Sequence, residues 1–208
     1  MSTTDARPLP TFEAATRLQS QMTFLVELDK LKSVMRQTPL IHARRRENSA
    51  EHSWHVALAA IVLAEHTTSQ LDLARVVKML LIHDVVEIDS GDVFIHDEVA
   101  RNDVAAAESA AARRLFGLLP KDTGREFLEL WEEYDARFTA EARYAYAIDR
   151  FLPLLYDFHT RGMLWAEHGI RRDQVIDITR AIERGSPSLW HQARDLIDRA
   201  TDLGYLAR

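Results

Sequence analysis

Histidine and aspartate side chains stand at three points of the sequence where helical, apolar surroundings would bury them. His52 shares its predicted helical face with apolar residues four, seven and eleven positions later. His83 and Asp84 directly follow a run of four apolar residues, and Asp149 lies in the stretch AYAIDRFLPLL with apolar neighbours on its face. A buried carboxylate without a partner costs several kcal/mol or more. These groups therefore need a shared partner inside the fold.

One divalent cation would satisfy His52, His83, Asp84 and Asp149 together. Two neutral imidazoles and two carboxylates suit Mn, Fe, Co, Ni or Zn better than Ca, and the absence of sulfur disfavours copper(I). Four protein ligands on an octahedral ion leave positions for water and substrate. The sequence predicts one divalent metal ion, held by ligands from three helices.

Each of these residues also has an ordinary structural interpretation. An inward histidine is often a hydrogen-bonded core residue, and a His-Asp dipeptide occurs by chance in many chains. Asp149 alone could be the buried partner of Arg143 or Arg150. The prediction of a metal site rests on the combination: a histidine, a His-Asp pair and an aspartate, each on a separate apolar helix.

The elements that must position these residues are helices. Residues 1–10 are polar and predict a flexible N-terminal arm, and residues 11–208 predict a single all-α domain. Apolar residues at three- and four-residue steps predict seven or eight helices and no strand. Ser49 is the expected N-cap of the helix that carries His52. The main predicted helices cover residues 12–31, 50–66, 73–86, 97–116, 123–135, 140–159, 172–183 and 189–202.

Composition excludes several classes of protein. With no cysteine among 208 residues, disulfide frameworks, thiol nucleophiles and cysteine-ligated metals are ruled out, and a cytoplasmic location is expected. A net charge of −6 disfavours binding to a nucleic-acid duplex. No apolar run is long enough to span a membrane. Trp131, Trp165 and Trp190 supply enough aromatic surface to predict a homo-oligomer, with a dimer as the commonest form.

The order of the four candidate ligands resembles that of the HD-domain superfamily of metal-dependent phosphohydrolases. Within it, three stretches are similar to the group of bacterial 5′-deoxynucleotidases and their eukaryotic relatives, the HD-domain-containing protein 2 group. They are RRENSAEH at 45–52, HDVVEIDSGD at 83–92 and the helix around Asp149, and LWEEY at 130–134 is similar as well. The resemblance covers roughly residues 31–157. It implies an all-α HD-domain bundle and a phosphohydrolase acting on a small phosphorylated substrate, such as a nucleoside 5′-monophosphate.

Residue by residue, the resemblance implies further roles beside the four metal ligands. Glu87 would be catalytic, orienting the metal-bound water, or would hydrogen-bond to a ligand. Asp92 would be catalytic and would contact the substrate sugar or phosphate. Arg45 would bind phosphate or hold the loop before His52. Arg36, with the arginines at 44–46, could add a phosphate-binding rim, although clustered charge is more often a solvated surface.

The sequence departs from the group at one point. The deoxynucleotidases carry an Arg-Trp pair where this chain has Gln37 and Thr38, so a strict preference for deoxynucleotides is not expected. Two-metal HD proteins need extra histidines after the His-Asp pair, and only His96 lies there, so one metal is expected. Two alternatives stay open: another HD hydrolase, such as a nucleotide pyrophosphohydrolase or phosphodiesterase, and a non-catalytic module with a structural metal.

Overall fold

Helices make up most of the computed structural model, which describes residues 16–95 and 98–208. The all-α class is confirmed, and eight of the helices in the described chain have eight residues or more. Short 3-10 turns at Asp29–Ser33, Ala64–His66 and His83–Val86 connect some of them. The α-helices are α1 Arg17–Leu28, α2 Ser49–Val62, α3 Leu73–Ile82, α4 Glu87–Ser90, α5 Glu98–Phe116, α6 Lys121–Ala136, α7 Ala140–His159, α8 Met163–His168, α9 Arg172–Thr179, α10 Ile182–Gly185 and α11 Pro187–Asp202.

A small two-stranded sheet precedes α2, and the prediction of no strand was wrong here. β1 is Met35–Pro39 and β2 is Arg46–Asn48, paired antiparallel with Met35 opposite Asn48. Both strands are short and polar, so neither shows the apolar alternation that marks a strand in sequence. Their side chains cross-link instead: the Arg36 guanidinium donates to Glu47 across the pair at 3.2 Å.

The His-Asp pair lies where a helix changes its winding. The sequence predicted one helix over 73–86, but the α-helix ends at Ile82 and His83–Val86 forms a 3-10 turn before α4. No glycine or proline marks this change, which is why periodicity did not reveal it. Similarly, the N-cap of α2 is Asn48 rather than Ser49, and it forms a capping box with Glu51.

Helix α7 runs through the centre of the bundle and carries Asp149. It packs against α2, α3, α6, α10, α11 and β1, and more than half of its residues are buried. The helix continues through Pro153, where the sequence predicted a kink. Because α2 and α3 both lie against α7, His52, the His-Asp turn and Asp149 meet at the packing surface of three helices.

Some predictions fall outside the described residues. The N-terminal arm at 1–10 and His96 are among them. None of the helices that the structure describes has the length and apolar character needed to cross a membrane.

Close packing of α10 on α7 gives a stability prediction. A Cβ atom at Gly185 would lie 2.3 Å from the Arg143 carbonyl oxygen and 2.7 Å from the Ala147 Cβ. Gly185→Ala should therefore destabilise the fold by about 1–3 kcal/mol and lower Tm by roughly 2–12 °C. Thermal denaturation checks this, with Glu183→Ala, an exposed position on the same short helix, as the matched control. Equal Tm values for the two variants would contradict the close packing.

Candidate metal centre and cleft

Three buried side chains converge where α2, the 3-10 turn and α7 meet. His52, His83 and Asp149 each offer a ligand atom, and these atoms lie within 4.8 Å of one another. Asp149 Oδ1 is 2.8 Å from His52 Nε2 and 3.6 Å from His83 Nε2. Such spacing fits a single cation bound between two imidazoles and a carboxylate. We refer to these three residues as the metal cluster.

The tautomer of His83 follows from its hydrogen bond. His83 Nδ1 lies 2.8 Å from the Leu80 carbonyl oxygen, which can only accept, so Nδ1 carries the proton. In the neutral imidazole the Nε2 atom then carries a bare lone pair. It is buried, has no hydrogen-bond partner in the described chain, and faces Asp84 Oδ1 at 3.1 Å. A lone pair directed at carboxylate oxygens is unfavourable until a cation lies between them, so this arrangement fits a metal ligand.

A carboxylate lies behind His52, on the Nδ1 side of its ring. Glu47 Oε1 lies 3.3 Å from His52 Nδ1, and both side chains are almost fully buried. Burial and the Arg36 charge lower the pKa of His52, but Asp149, Glu47 and Asp84 outweigh them and raise it to about 9. The surroundings of His52 therefore favour positive charge, which a proton or a metal ion would supply. No role was predicted for Glu47, although it lies within the stretch RRENSAEH.

Asp149 is held by two donors on the side away from the cluster. Its Oδ2 accepts hydrogen bonds from the Tyr134 hydroxyl at 2.8 Å and from Arg150 Nη2 at 2.5 Å. Burial alone would raise the pKa of Asp149, but the Arg150 charge and the two histidines hold it well below its ordinary value. Its Oδ1 therefore stays ionised and directed at the histidines. Arg150 is one of the two arginines that the sequence suggested as a buried partner of Asp149, whereas no role was predicted for Tyr134 of the stretch LWEEY.

Asp84, the fourth predicted ligand, lies beside the metal cluster. Its Oδ1 faces His83, and its Oδ2 is 3.9 Å from His52 Nε2 and accepts from Arg36 Nη1 at 2.9 Å. The side chain is thus shared between the histidines and Arg36. The tight group of the described residues contains three of the four predicted ligands.

Arg36 lies at the centre of the acidic groups rather than on a surface rim. Besides Glu47 and Asp84, its guanidinium is 3.8 Å from Glu87 and 3.3 Å from Asp92. The Arg36 side chain is only 11% exposed, so these contacts are poorly screened by water. The short strand β1 positions it, and the sequence analysis missed that strand.

Glu87 and Asp92 both line the same cleft as His83 and Asp149, and both face Arg36. Glu87 Oε2 accepts a hydrogen bond from Ser49 Oγ at 2.5 Å, so its other oxygen faces Arg36. Burial raises the pKa of Glu87 well above its ordinary value, and the charge of Asp84 adds to this. Burial likewise raises the pKa of Asp92. Their roles in catalysis stay predictions.

Arg45 does not join these residues. Its guanidinium pairs with Glu51 at 2.6 and 2.8 Å, and half of the side chain is exposed. Glu51 also caps α2, so Arg45 supports the start of the helix that carries His52. This position matches the predicted loop-holding role rather than direct contact with phosphate.

A cleft of about 330 Å³ opens beside the metal cluster. His83, Asp84, Glu87, Asp92 and Asp149 line one part of it. Gln37 and Thr38 of β1 line it as well, at the positions where the resembled group has its Arg-Trp pair. The volume suits a small molecule, and three of the carboxylates that line the cleft lie around Arg36.

Comparison with known proteins agrees with this geometry. The family model for the HD domain matches residues 28–190, which is most of the chain. The chain belongs to the HD domain family. The crystal structure of a predicted metal-dependent phosphohydrolase from Magnetospirillum magnetotacticum is similar to this HD domain, with a TM-score of 0.88 and 52% identity. That alignment covers 92% of this chain and 99% of the other.

Curated relatives of this HD domain are deoxynucleotidases by name. The 5′-deoxynucleotidase HDDC2 of Homo sapiens is 31% identical over 134 residues, which is 64% of each chain. The 5′-deoxynucleotidase of Yersinia pestis is 26% identical over 170 residues, 77% of this chain and 86% of that protein. The match to HDDC2 spans less than two thirds of the human protein.

The metal cluster gives a binding prediction. His83→Ala and Asp149→Asn should each reduce bound metal from about one ion per chain to near zero, because each removes a ligand atom. Glu47→Gln should weaken binding about 10- to 100-fold, because it acts through His52. Metal content by mass spectrometry after incubation with Mn²⁺ and desalting measures all three.

His55→Ala is the matched control for the lost imidazole. His55 lies on α2 one turn from His52, but it hydrogen-bonds to the Tyr156 hydroxyl outside the metal cluster. This variant should keep its metal. Full metal content in His83→Ala would contradict the assignment of the cluster.

Proposed function

We propose that the protein is a divalent-metal-dependent 5′-nucleotidase that releases phosphate from ribo- and deoxyribonucleoside 5′-monophosphates. The observation that carries the proposal is the bare Nε2 atom of His83, facing carboxylates at the wall of a cleft large enough for a nucleotide. The names of the curated relatives support the substrate class. The two alternatives, another HD hydrolase and a non-catalytic module with a structural metal, are distinguished by the reaction products.

Four residues would hold the metal in this proposal. His52, His83 and Asp149 supply the tight group, and Asp84 completes the set on the side facing Arg36. A divalent ion bound there lowers the pKa of water towards neutrality and offsets phosphoryl charge. We propose Mn, Co, Fe, Ni or Zn as the ion, since mixed imidazole and carboxylate ligands accept each of them.

Glu87 would orient the attacking water, and Asp92 would bind the substrate. Ser49 fixes one carboxylate oxygen of Glu87, which leaves the other to orient water and take up its proton. Asp92 lines the cleft beside Arg36, where its carboxylate can accept a hydrogen bond from a sugar hydroxyl.

Arg36 would limit repulsion between these carboxylates and the phosphate. Its guanidinium lies among four carboxylates and also lines the cleft. A phosphate dianion entering an acidic site needs such a fixed positive charge. Arg45 would act on the α2 start instead of the substrate. Gln37 and Thr38 would contact the nucleotide without the charge and ring of the resembled group, which favours broad sugar preference.

Activity gives the next prediction. With Mn²⁺ or Co²⁺ supplied, the protein should release inorganic phosphate from a panel of ribo- and deoxynucleoside 5′-monophosphates. Glu87→Gln should lower kcat by about 10²- to 10⁴-fold, because water loses its positioned carboxylate. Asp84→Ala should abolish release by weakening metal binding. Asp89→Asn is the matched control, since Asp89 lies two residues from Glu87 but pairs with Arg114 at the surface.

The products separate the competing functions. Release of pyrophosphate from triphosphates, or of a mononucleotide from diesters, would establish another HD hydrolase if monophosphates release no phosphate. A protein that loses stability without metal, yet releases nothing from any of these substrates, would be the non-catalytic module. Unchanged phosphate release in Glu87→Gln would contradict the catalytic role of Glu87.

We further propose a cytoplasmic homodimer that uses the outer face of α2. Trp54, Leu58, Ile61 and Val62 are exposed at helical spacing and form a contiguous apolar stripe. A two-fold contact would bury this stripe against its copy. The absence of cysteine suits a reducing compartment.

Light scattering after size exclusion tests the dimer. The protein should elute with twice the chain mass, and Trp54→Glu with Leu58→Glu should give the monomer mass, because charge on the stripe opposes burial. Phe138→Glu, at an exposed aromatic residue far along the chain, should leave the dimer intact. A monomeric parent, or a dimer that survives the double substitution, would refute this interface.

A further inference from the structure

One stripe of α7 joins the metal cluster to the far end of the cleft. Six residues of this helix line the cleft. They are separated by alternating steps of three residues and one residue, so they share one face of the helix. Asp149 is near the start of the stripe and Asp157 is at its end. Eight residues of helix separate them by about 12 Å along the axis. The stripe consists of Tyr146, Asp149, Arg150, Pro153, Leu154 and Asp157.

Residues of α8 and α9 line the cleft together with Asp157, and most of them are apolar. Leu164, Trp165 and Val175 are among them and are buried. Asp157 lines the same cleft with 6% of its surface exposed. We call the part of the cleft lined by these four residues the distal chamber. A mainly apolar chamber with an aromatic wall and few polar groups is typical of a site that holds a flat organic ring.

One carboxylate oxygen of Asp157 is unpartnered among the residues that the structure describes. Its Oδ1 is buried without a hydrogen bond, and no ion pair with Asp157 is present in the described chain. Burial raises the pKa of this carboxyl to about 7. Compare Asp149 on the same helix, which has four close partners. A buried polar atom left unpaired costs stability, so its presence on a cleft wall indicates a ligand group that pairs with it.

We propose that Asp157 is a specificity-determining residue that accepts a hydrogen bond from the amino group of a nucleobase bound in the distal chamber. This inference rests on the proposed function, since it takes the phosphate to lie at the metal cluster. The distance along α7 then places the other end of a nucleoside monophosphate beside Asp157. Trp165 supplies an aromatic surface for the base.

The chemistry of a carboxylate predicts which bases are preferred. When Asp157 is ionised, its oxygens only accept hydrogen bonds, so an exocyclic amino group pairs with them, whereas a keto oxygen at the same position repels them. A base without the amino group would also leave Asp157 unpaired, which is the stronger basis for rejection. Guanine should therefore be preferred over hypoxanthine, and cytosine over uracil.

The test compares substrates that differ by one group. For the metal-loaded protein, kcat/KM for dGMP should exceed that for dIMP by about 10- to 100-fold, and dCMP should exceed dUMP similarly. Asp157→Asn should reduce the dCMP to dUMP ratio to near one, because the amide can donate to the keto oxygen of uracil. The dGMP to dIMP ratio should fall less, because the amide oxygen still accepts from the guanine amino group. Hydrolysis of p-nitrophenyl phosphate, which has no base, should be unchanged in the variant.

Separate readouts distinguish this inference from the proposed function. Thermal melting and metal content should be unchanged or improved in Asp157→Asn, since a carboxyl with no partner is removed. If the parent hydrolyses monophosphates with no preference for amino bases, or the variant keeps the preference for dCMP over dUMP, the role of Asp157 is refuted while the nucleotidase stands. If no monophosphate is hydrolysed, the proposed function fails. Calorimetric binding of deoxyguanosine against deoxyinosine then tests Asp157 alone, and equal affinities would overturn the inference.

Discussion

The structure depends on how it offsets the charge of several carboxylates that converge in a poorly hydrated space. Glu47, Asp84 and Asp149 surround two buried histidines, and Glu87 and Asp92 lie next to them. Carboxylates at such distances repel strongly where water is scarce. Arg36 and Arg150 supply fixed positive charge on two sides. A divalent cation between His52, His83 and Asp149 would supply the rest of the positive charge that these carboxylates need.

The same constraint explains the order of the elements around the site. Helix α7 presents Asp149, α2 presents His52, and the 3-10 turn directs His83 and Asp84 towards both. The β1–β2 pair contributes Arg36 and Glu47 from opposite strands. Each element therefore adds either a candidate ligand or a charged group that orients one. The side of Asp149 that faces away from the cluster is closed by Tyr134 and Arg150, so only one oxygen remains for a metal.

Helical periodicity was enough to predict that His52 and Asp149 face inward. His52 and Asp149 lie on regular α-helices in which apolar residues recur at helical spacing, and both are buried as expected. The strands that hold Arg36 and Glu47 were not predictable in this way, because their residues are mostly polar and show no apolar alternation. The turn at His83 has no glycine or proline to mark it. Asp157 was also missed, since a lone aspartate late in a helix resembles many solvated ones.

The central claim is that His52, His83 and Asp149 bind one metal ion. Anomalous diffraction from a crystal grown with Mn²⁺, recorded at the manganese absorption edge, tests it most directly. We expect a single strong anomalous peak at bonding distance, about 2.0–2.2 Å, from His83 Nε2, His52 Nε2 and Asp149 Oδ1. Asp84 should be the fourth contact. Two peaks, or a peak that does not touch His83 Nε2, would contradict it.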